Sequence, residues 1–354
     1  MASFESDTVI STGRLIKVIS ACFIVLFITV VPAEARRSAD GSIELTIYPA
    51  KAGDVEQKYR LMVKAEDQTD ADAVPLYEKA IQSIPKDFRL KQIQEWLKLP
   101  AEQLPQQQAE AVLQKYMESL KLVARAARCK ECNWPELKPG ETPPDPSGYR
   151  NLNYVIRLWA RLETARGGYD GALLAMQTGF GMASHLGQAP ISLQVQVAAA
   201  VGEVICREVE QFIQGKDSPN LYWAMANLPR PLVGMEKAIE NDLENLKDYN
   251  FLVRRQSEKI LKPAHDRMRM IERRANTHLN ALQSLEAIRH YAATHNGQLP
   301  EKLSDISQME VPKDVMSDKP FEYRRTATGA MLQSTVPKNG EERDAIQYEI
   351  VLKK

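Results

Sequence analysis

The chain has 354 residues, of which 44% are hydrophobic, and its 46 basic residues balance its 46 acidic residues. A chain of this length can bury one large hydrophobic core or two modest ones. A net charge of zero lacks the basic excess typical of nucleic-acid-binding proteins, so we expect no nucleic-acid partner.

The first feature in chain order is an export signal. Arg14 and Lys17 precede an apolar run, "VISACFIVLFITVV" (18–31), and the small residues Ala33 and Ala35 follow it. This order is typical of a secretory signal peptide and predicts cleavage after Ala35. The run would form about 21 Å of helix, shorter than the roughly 30 Å hydrocarbon core of a bilayer, and a retained membrane anchor is the alternative. We therefore expect an exported protein, periplasmic or extracellular, whose mature chain is soluble.

Helical periodicity dominates from about residue 53 to residue 296, after a polar lead-in in which "SIELTIYPA" (42–50) fits one small strand. In "DADAVPLYEKAIQSIPKD" (70–87), Ala73, Tyr77 and Ala80 fall on one face of a helix that ends at Pro85. This spacing is typical of the second helix of a tetratricopeptide-type repeat.

The segment "NYVIRLWARLETARGGYDGALLAMQTGFGMASHLG" (153–187) predicts two packed helices joined at Gly167 and Gly168. It resembles a tetratricopeptide repeat at Ala160, Gly167, Tyr169, Ala172 and Gly179. It departs from that pattern at Glu163, where the family prefers an aromatic residue, and at Ser184, where it prefers proline. We therefore expect a degenerate, repeat-like helical array and not a regular solenoid.

Further helices are predicted at 104–128, 189–215 and 234–296. Pro263 should kink or break the last of these, and Asn296–Gly297 should end it. Beyond it, the runs "FEYRR", "AMLQSTV" and "IQYEIVL" alternate with period two and are separated by turn signals at Thr328–Gly329 and Asn339–Gly340. They predict a small antiparallel sheet of three strands.

These elements together predict a mainly α fold: a tetratricopeptide-like helical array followed by a small α+β tail with a short antiparallel sheet. The expected organisation is a signal peptide at 1–35, a helical repeat-like domain at 36–277, and a helix plus small antiparallel β tail at 278–354.

The segment "ARCKECNW" (127–134) places Cys129 and Cys132 three positions apart. Covalent haem would need a histidine where Asn133 stands, and a redox dithiol would need a βαβ context. Because exported thiols tend to oxidise, we expect at least one disulfide among Cys129, Cys132 and Cys206. We expect Trp134 to pack the loop against the core.

A zinc site is the alternative to a disulfide. It would use Cys129, Cys132, Cys206 and His185 as its four ligands. The five histidines are dispersed, at 185, 265, 278, 290 and 295, which favours solvated or capping roles. We expect no metal and no cofactor.

A pair of aromatic residues could form an interaction surface. In "SPNLYWAMANLPRPLV" (218–233), Tyr222 and Trp223 would form such a surface if they were exposed. The alternative is that both pack beneath the turn at Pro229 and Pro231.

The C-terminal part resembles that of type II secretion major pseudopilins. The matching residues are Gly297, Pro300, Leu303, Pro312, Asp314, Pro320, Phe321 and Tyr323. Val315 replaces a usual proline and Asp318 a usual glycine, and the N-terminus lacks a prepilin cleavage site, so the chain is not a pilin subunit. The acidic stretch "NGEERD" (339–344) stands where pseudopilins bind calcium. Asp314, Asp318 and Asp344 are therefore calcium candidates, with a charged turn as the alternative.

The chain as a whole resembles a group of uncharacterised secreted bacterial proteins. The matching residues are Cys132, Trp134, Asn220 to Ala224, and Leu228 to Pro231. This resemblance implies architecture and export, and it implies no activity.

The sequence contains no Gly-x-Ser-x-Gly, P-loop, His-Glu-x-x-His or dinucleotide fingerprint. We therefore favour a non-catalytic interaction or scaffold protein of the bacterial envelope, with a protein or peptide partner on a concave helical face. An enzyme with an unrecognised site, or an accessory factor of a secretion system, is the alternative.

Overall fold

The computed structural model describes residues 42–53, 58–135, 145–247, 250–337, 342 and 345–353. The predicted signal peptide (1–35), the predicted turn at Asn339–Gly340 and the calcium candidate Asp344 lie outside the described residues.

Helices dominate the described chain, so the predicted mainly α class is confirmed. The helices of these residues are α1 (Val74–Gln82), α2 (Leu90–Leu97), α3 (Gln106–Gln114), α4 (Met117–Ala126), α5 (Ser147–Ala165), α6 (Tyr169–Leu186), α7 (Ser192–Ile213), α8 (Tyr222–Ala226), α9 (Glu236–Glu244) and α10 (Phe251–Thr294). The strands are β1 (Ile43–Ile47), β2 (Thr69–Asp72), β3 (Cys129–Glu131), β4 (Glu322–Arg325), β5 (Gly329–Gln333) and β6 (Gln347–Leu352).

Helices α5, α6 and α7 contact one another and form the centre of the core. The predicted turn between α5 and α6 is confirmed: Gly167 has a φ of +69°, which glycine adopts without strain, and Gly168 N–H donates to the Glu163 carbonyl. Gly179 lets α6 approach α7 closely, because a Cβ there would overlap the Cδ1 atom of Ile205.

The long helix α10 continues through two predicted boundaries. Pro263 lies inside it and does not break it, and the helix ends near Asn296 and Gly297, as predicted. The expected domain boundary between residues 277 and 278 also falls within this helix. Among the described helices, none is both long and apolar enough to cross a lipid bilayer.

The main sheet has four strands in the order β1-β6-β5-β4. Strands β4, β5 and β6 are antiparallel as predicted, but β1 adds to the sheet parallel to β6, with Ile43 opposite Tyr348. The prediction of a three-stranded antiparallel sheet was therefore incomplete. A parallel pair needs a long crossover, and here the helical region between β1 and β6 provides it. Burial of Leu45 and Ile47 accounts for the position of β1.

A second, two-stranded sheet joins β2 and β3 in parallel, with Thr69 opposite Cys129. This pairing brings the segment that contains both Cys129 and Cys132 beside the start of α1.

Candidate functional site

A group of ionisable side chains, most of them buried, lies where α7, α10 and β6 meet. We call it the His278 cluster, and it comprises Glu203 and Glu210 of α7, His278 of α10 and Tyr348 of β6. His278 Nε2 lies 2.8 Å from Glu210 Oε1, and the Tyr348 hydroxyl donates to the same oxygen at 2.7 Å. On the other side of the ring, His278 Nδ1 lies 3.2 Å from Glu203 Oε2, an ion pair whose alignment is poor for a hydrogen bond. The imidazole therefore stands between two carboxylates.

The electrostatics of the His278 cluster favour an imidazolium ion. Burial alone would lower the pKa of His278, but the carboxylates of Glu203 and Glu210 outweigh it and raise the pKa to about 9. Burial alone would raise the pKa of Glu203, but His278, with the guanidinium groups of Arg274 and Arg207, lowers it to about 2. The ring is therefore charged at neutral pH, and Glu203 is ionised.

This arrangement limits the chemistry of the cluster. Burial and the neighbouring Glu210 raise the pKa of the Tyr348 hydroxyl well above its usual range, so it stays a neutral donor. Both ring nitrogens of His278 face carboxylates, and a doubly protonated ring has no lone pair with which to accept a proton. The cluster is thus suited to joining three elements and not to general base catalysis.

Two more buried ion groups join distant elements. Arg157 and Arg161 of α5 contact Glu208 of α7 at 3.0 and 2.8 Å, and Arg161 also donates to the Leu97 and Leu99 carbonyls at the end of α2.

The other group lies within α10. Arg289 pairs with Glu286 at 2.9 Å and donates to Ser218 and to the Tyr48 carbonyl. Burial raises the pKa of Glu286, and Arg289 beside it opposes that rise.

The structure separates Cys206 from the other two cysteines that we expected to take part in a disulfide. Cys129 and Cys132 lie beside Asp72, whereas Cys206 lies in α7 near Glu203 and Glu210. All three are free thiols, so the expected bond is not formed among them. Burial, with Asp72 and Cys129, raises the pKa of Cys132 to about 12, and burial also raises the pKa values of the other two thiols. Reactive thiolates are therefore disfavoured at neutral pH.

His185 and Trp134 hold the Cys-x-x-Cys segment against α1 and α6. The Nδ1 atom of His185 lies 2.9 Å from the Tyr77 hydroxyl and its Nε2 lies 3.1 Å from the Cys129 carbonyl. The indole of Trp134 donates to the His185 carbonyl at 2.7 Å, so the prediction that Trp134 packs the loop down is confirmed. The edge of its ring also packs against Tyr149.

These contacts bear on the zinc alternative. Both His185 nitrogens already have protein partners, and Cys206 lies in the other cluster. Across the described ranges, no group of three or more His, Cys, Asp or Glu side chains could hold a metal ion.

The histidines are less exposed than we expected. His185, His265 and His278 are buried, and His265 pairs with Asp242 at 3.1 Å, so solvated or capping roles were wrong for these three. His290 contacts the Ala52 N–H, and His295 stacks on Tyr291 near the end of α10.

The predicted interaction surface at Tyr222 and Trp223 is partly in the core. Tyr222 is buried and its hydroxyl donates to the Glu310 carbonyl. Trp223 is half-buried and its ring meets that of Tyr222 edge-on at 4.9 Å. Of the two alternatives, an exposed surface does not hold for Tyr222, because its ring is buried and its hydroxyl has a partner inside the protein.

Of the calcium candidates, Asp314 is fully buried and already has protein donors on both oxygens. Its Oδ1 accepts from the Thr277 hydroxyl and the Met316 N–H, and its Oδ2 accepts from the Ser317 hydroxyl and the Thr335 N–H. Asp318 is exposed and lies near Lys313. Asp314 thus joins the tail to α10 instead of facing solvent.

The ion groups on α7 and α10 were missed in the sequence. A signal was present, since Glu203, Glu208 and Glu210 interrupt an otherwise Ala- and Val-rich helix. Such carboxylates are rarely buried unless they are paired, which marks them as candidates for internal contacts.

Comparisons with protein-family models, with curated proteins and with solved structures found no match.

Proposed function

We propose that the protein is an exported, non-catalytic scaffold or interaction protein of the bacterial envelope, built on a tetratricopeptide-like array of helices. The observation that carries this proposal is that the buried ionisable groups contact one another and hold parts of the fold together. The His278 cluster and the Glu208 group each pair charged side chains of separate elements. The Glu286–Arg289 pair lies within α10, and Arg289 joins it to other parts of the chain by donating to Ser218 and to the Tyr48 carbonyl.

Such groups are better suited to fixing one arrangement than to adding stability. Burying an ion pair costs desolvation energy that its attraction only partly returns, and retention of such pairs fits a need for a single geometry. A partner-binding surface benefits from such rigidity, because less entropy is lost on binding.

The helical hairpin α5–α6 and its contacts with α7 support the array part of the proposal. Stacked helical pairs bury one face against their neighbours and present the other to a peptide or protein partner. Tyr348 and Asp314 attach the C-terminal sheet and the loop before it to α7 and α10, which would hold the tail in a fixed position relative to that surface.

An enzyme is less well supported. A catalytic site would need carboxylates or histidines directed at a substrate, whereas Glu203 and Glu210 are directed at His278. The secretion-system hypothesis rests on the pseudopilin resemblance alone.

The test is in-cell crosslinking of the tagged full chain, followed by identification of crosslinked proteins in the envelope fraction. We expect the same partner in repeated captures, enriched over an unrelated exported protein of similar size that carries the same tag. A chain that is found in the cytosol, or one that crosslinks no protein above that control, would contradict the proposal.

A further inference from the structure

The first turn of α10 carries the two most exposed large apolar side chains among the described residues. Phe251 is 72% exposed and Leu252 is 76% exposed. Asn250 caps this turn by accepting a hydrogen bond from the Val253 N–H at 3.0 Å, so both side chains belong to an ordered helix end. Neighbouring apolar side chains at this exposure mark a site of contact with another surface.

Three cations follow on the same side of the helix. At about 100° per residue, Arg255, Lys259 and Lys262 fall within the arc of about 100° that Phe251 and Leu252 define. All three cations are exposed. The buried positions of this half of α10 lie outside this arc, at Ser257, Leu261, His265 and Met268.

The neighbouring charges do not cancel this row of cations. Glu258, at the edge of the arc, is paired with Arg254 at 2.8 Å, and Asp266 lies one turn beyond Lys262 and pairs with Arg269 at 3.6 Å. The face from residue 251 to residue 262 therefore carries an apolar tip and a net positive charge.

An anionic phospholipid bilayer matches both properties. At a bilayer interface, Phe and Leu side chains enter the boundary of the acyl chains, and Arg and Lys contact the phosphate groups. The arc spans about 17 Å along the helix, so its apolar and basic ends can reach one membrane surface together. The apolar run at 18–31 also predicts that the chain meets a membrane during export.

We propose that the first three turns of α10 form a membrane-docking surface for anionic phospholipids, in which Phe251 and Leu252 insert and Arg255, Lys259 and Lys262 contact phosphates. This surface adds a lipid partner to the proposed scaffold and does not depend on the identity of a protein partner.

The first test is flotation of the full chain, in the form that an expression host exports, with vesicles of phosphatidylcholine or of phosphatidylcholine mixed with phosphatidylglycerol. We expect stronger binding to the anionic vesicles, and about tenfold or greater losses for F251S/L252S and for R255Q/K259Q/K262Q. The matched controls are M117S/L174S and K79Q/K91Q/K121Q, which change exposed residues elsewhere and should bind like the wild type. Equal binding by all five proteins overturns the proposal.

A second measurement reports on the surface even if the N-terminal run holds the chain to the vesicles. Tryptophan fluorescence of L252W should be quenched by lipids brominated in their acyl chains, and that of L174W should not be quenched beyond the wild type. Absence of extra quenching in L252W overturns the proposal. If F251S/L252S keeps vesicle binding and instead loses a protein crosslink in the envelope, the surface binds protein and the lipid assignment is wrong.

Discussion

The imidazole of His278 lies 2.8 Å from the carboxylate of Glu210, and this contact joins the long helix α10 to the central helix α7. Glu203, about two turns earlier on α7, faces the other nitrogen of the same ring. A buried histidine placed between two carboxylates gains stability from them only while it is protonated. The pH dependence of folding therefore reports on this site.

The first prediction concerns alkaline pH. The folded-state pKa of His278 is raised to about 9, above its unfolded value of about 6.5. The stabilising contribution is thus complete below about pH 6.5 and is lost as the pH rises through about 9. We expect the free energy of unfolding, measured with urea, to fall by on the order of 3 kcal/mol across this window on account of His278.

The control for this prediction is H278Q. This variant should be less stable than the wild type at pH 6, and it lacks the imidazole that titrates. Other groups also contribute in this range, including the thiols, which ionise in the unfolded chain near a pKa of about 8.5 but are held neutral in the folded protein. The quantity to compare is therefore the difference between wild type and variant at each pH. A difference that stays constant from pH 6 to pH 9.5 would show that His278 is not the titrating group.

The second prediction isolates the Tyr348 hydroxyl. Y348F removes a donor to the charged Glu210 and leaves the ring packing in place, so we expect a loss of about 1.5–3 kcal/mol in the free energy of unfolding. Y154F is the matched control, because the Tyr154 hydroxyl accepts from the neutral amide of Gln94 in a half-buried position. Its cost should be about 1 kcal/mol or less. Similar costs for both variants would argue against a strong bond at Glu210.

The third prediction tests the close approach of α6 and α7. A Cβ on Gly179 would overlap the Ile205 side chain, so G179A should lower the free energy of unfolding by about 1–3 kcal/mol despite the better helix propensity of alanine. I205A should be costly on its own because it opens a cavity. The double variant G179A/I205A should lose less stability, measured by urea unfolding, than the sum of the losses in the two single variants. Strict additivity would place the two residues out of contact.

The fourth prediction concerns the thiols. Because Cys132 has a pKa of about 12 and the other two thiols are buried, alkylation of the native protein at pH 8 should be slow. After unfolding without reductant, peptide mapping should show labels on Cys129, Cys132 and Cys206. Label on only one of the three cysteines would show that the other two form the disulfide that the sequence predicts.

Local features of the fold were predictable, and features that depend on distant residues were not. The α5–α6 turn follows from the Gly167–Gly168 pair, whose backbone freedom is a local property. The pairing of β1 with β6 joins Ile43 to Tyr348 across most of the chain, and no local pattern specifies it.

The His278 cluster was likewise not predictable from local sequence. Glu203 and Glu210 lie on an amphipathic pattern that would normally expose its charges, and only the arrival of His278 and Tyr348 from other elements makes their burial favourable. For Tyr222, the sequence left exposure and packing open as alternatives, and only the folded structure shows that the ring is buried.

The fifth prediction tests Asp314 as an internal hydrogen-bond acceptor. D314N turns one acceptor oxygen into an amide that faces a protein donor, so we expect a loss of about 2–3 kcal/mol in the free energy of unfolding. Amide hydrogen exchange at Met316 and Thr335 should accelerate, because both N–H groups donate to this carboxylate. D318N is the matched control: Asp318 is exposed, and asparagine tolerates its positive φ of 56°, so the change should stay within about 0.5 kcal/mol.

Comparison of the wild type with D314N also tests the calcium hypothesis. Since both Asp314 oxygens accept protein hydrogen bonds, adding calcium or a chelator should leave the melting temperature of the wild type unchanged. A calcium-dependent rise in the wild type that disappears in D314N would show that the ion displaces those donors. The carboxylate would then be a calcium ligand as well as a link between the tail and α10.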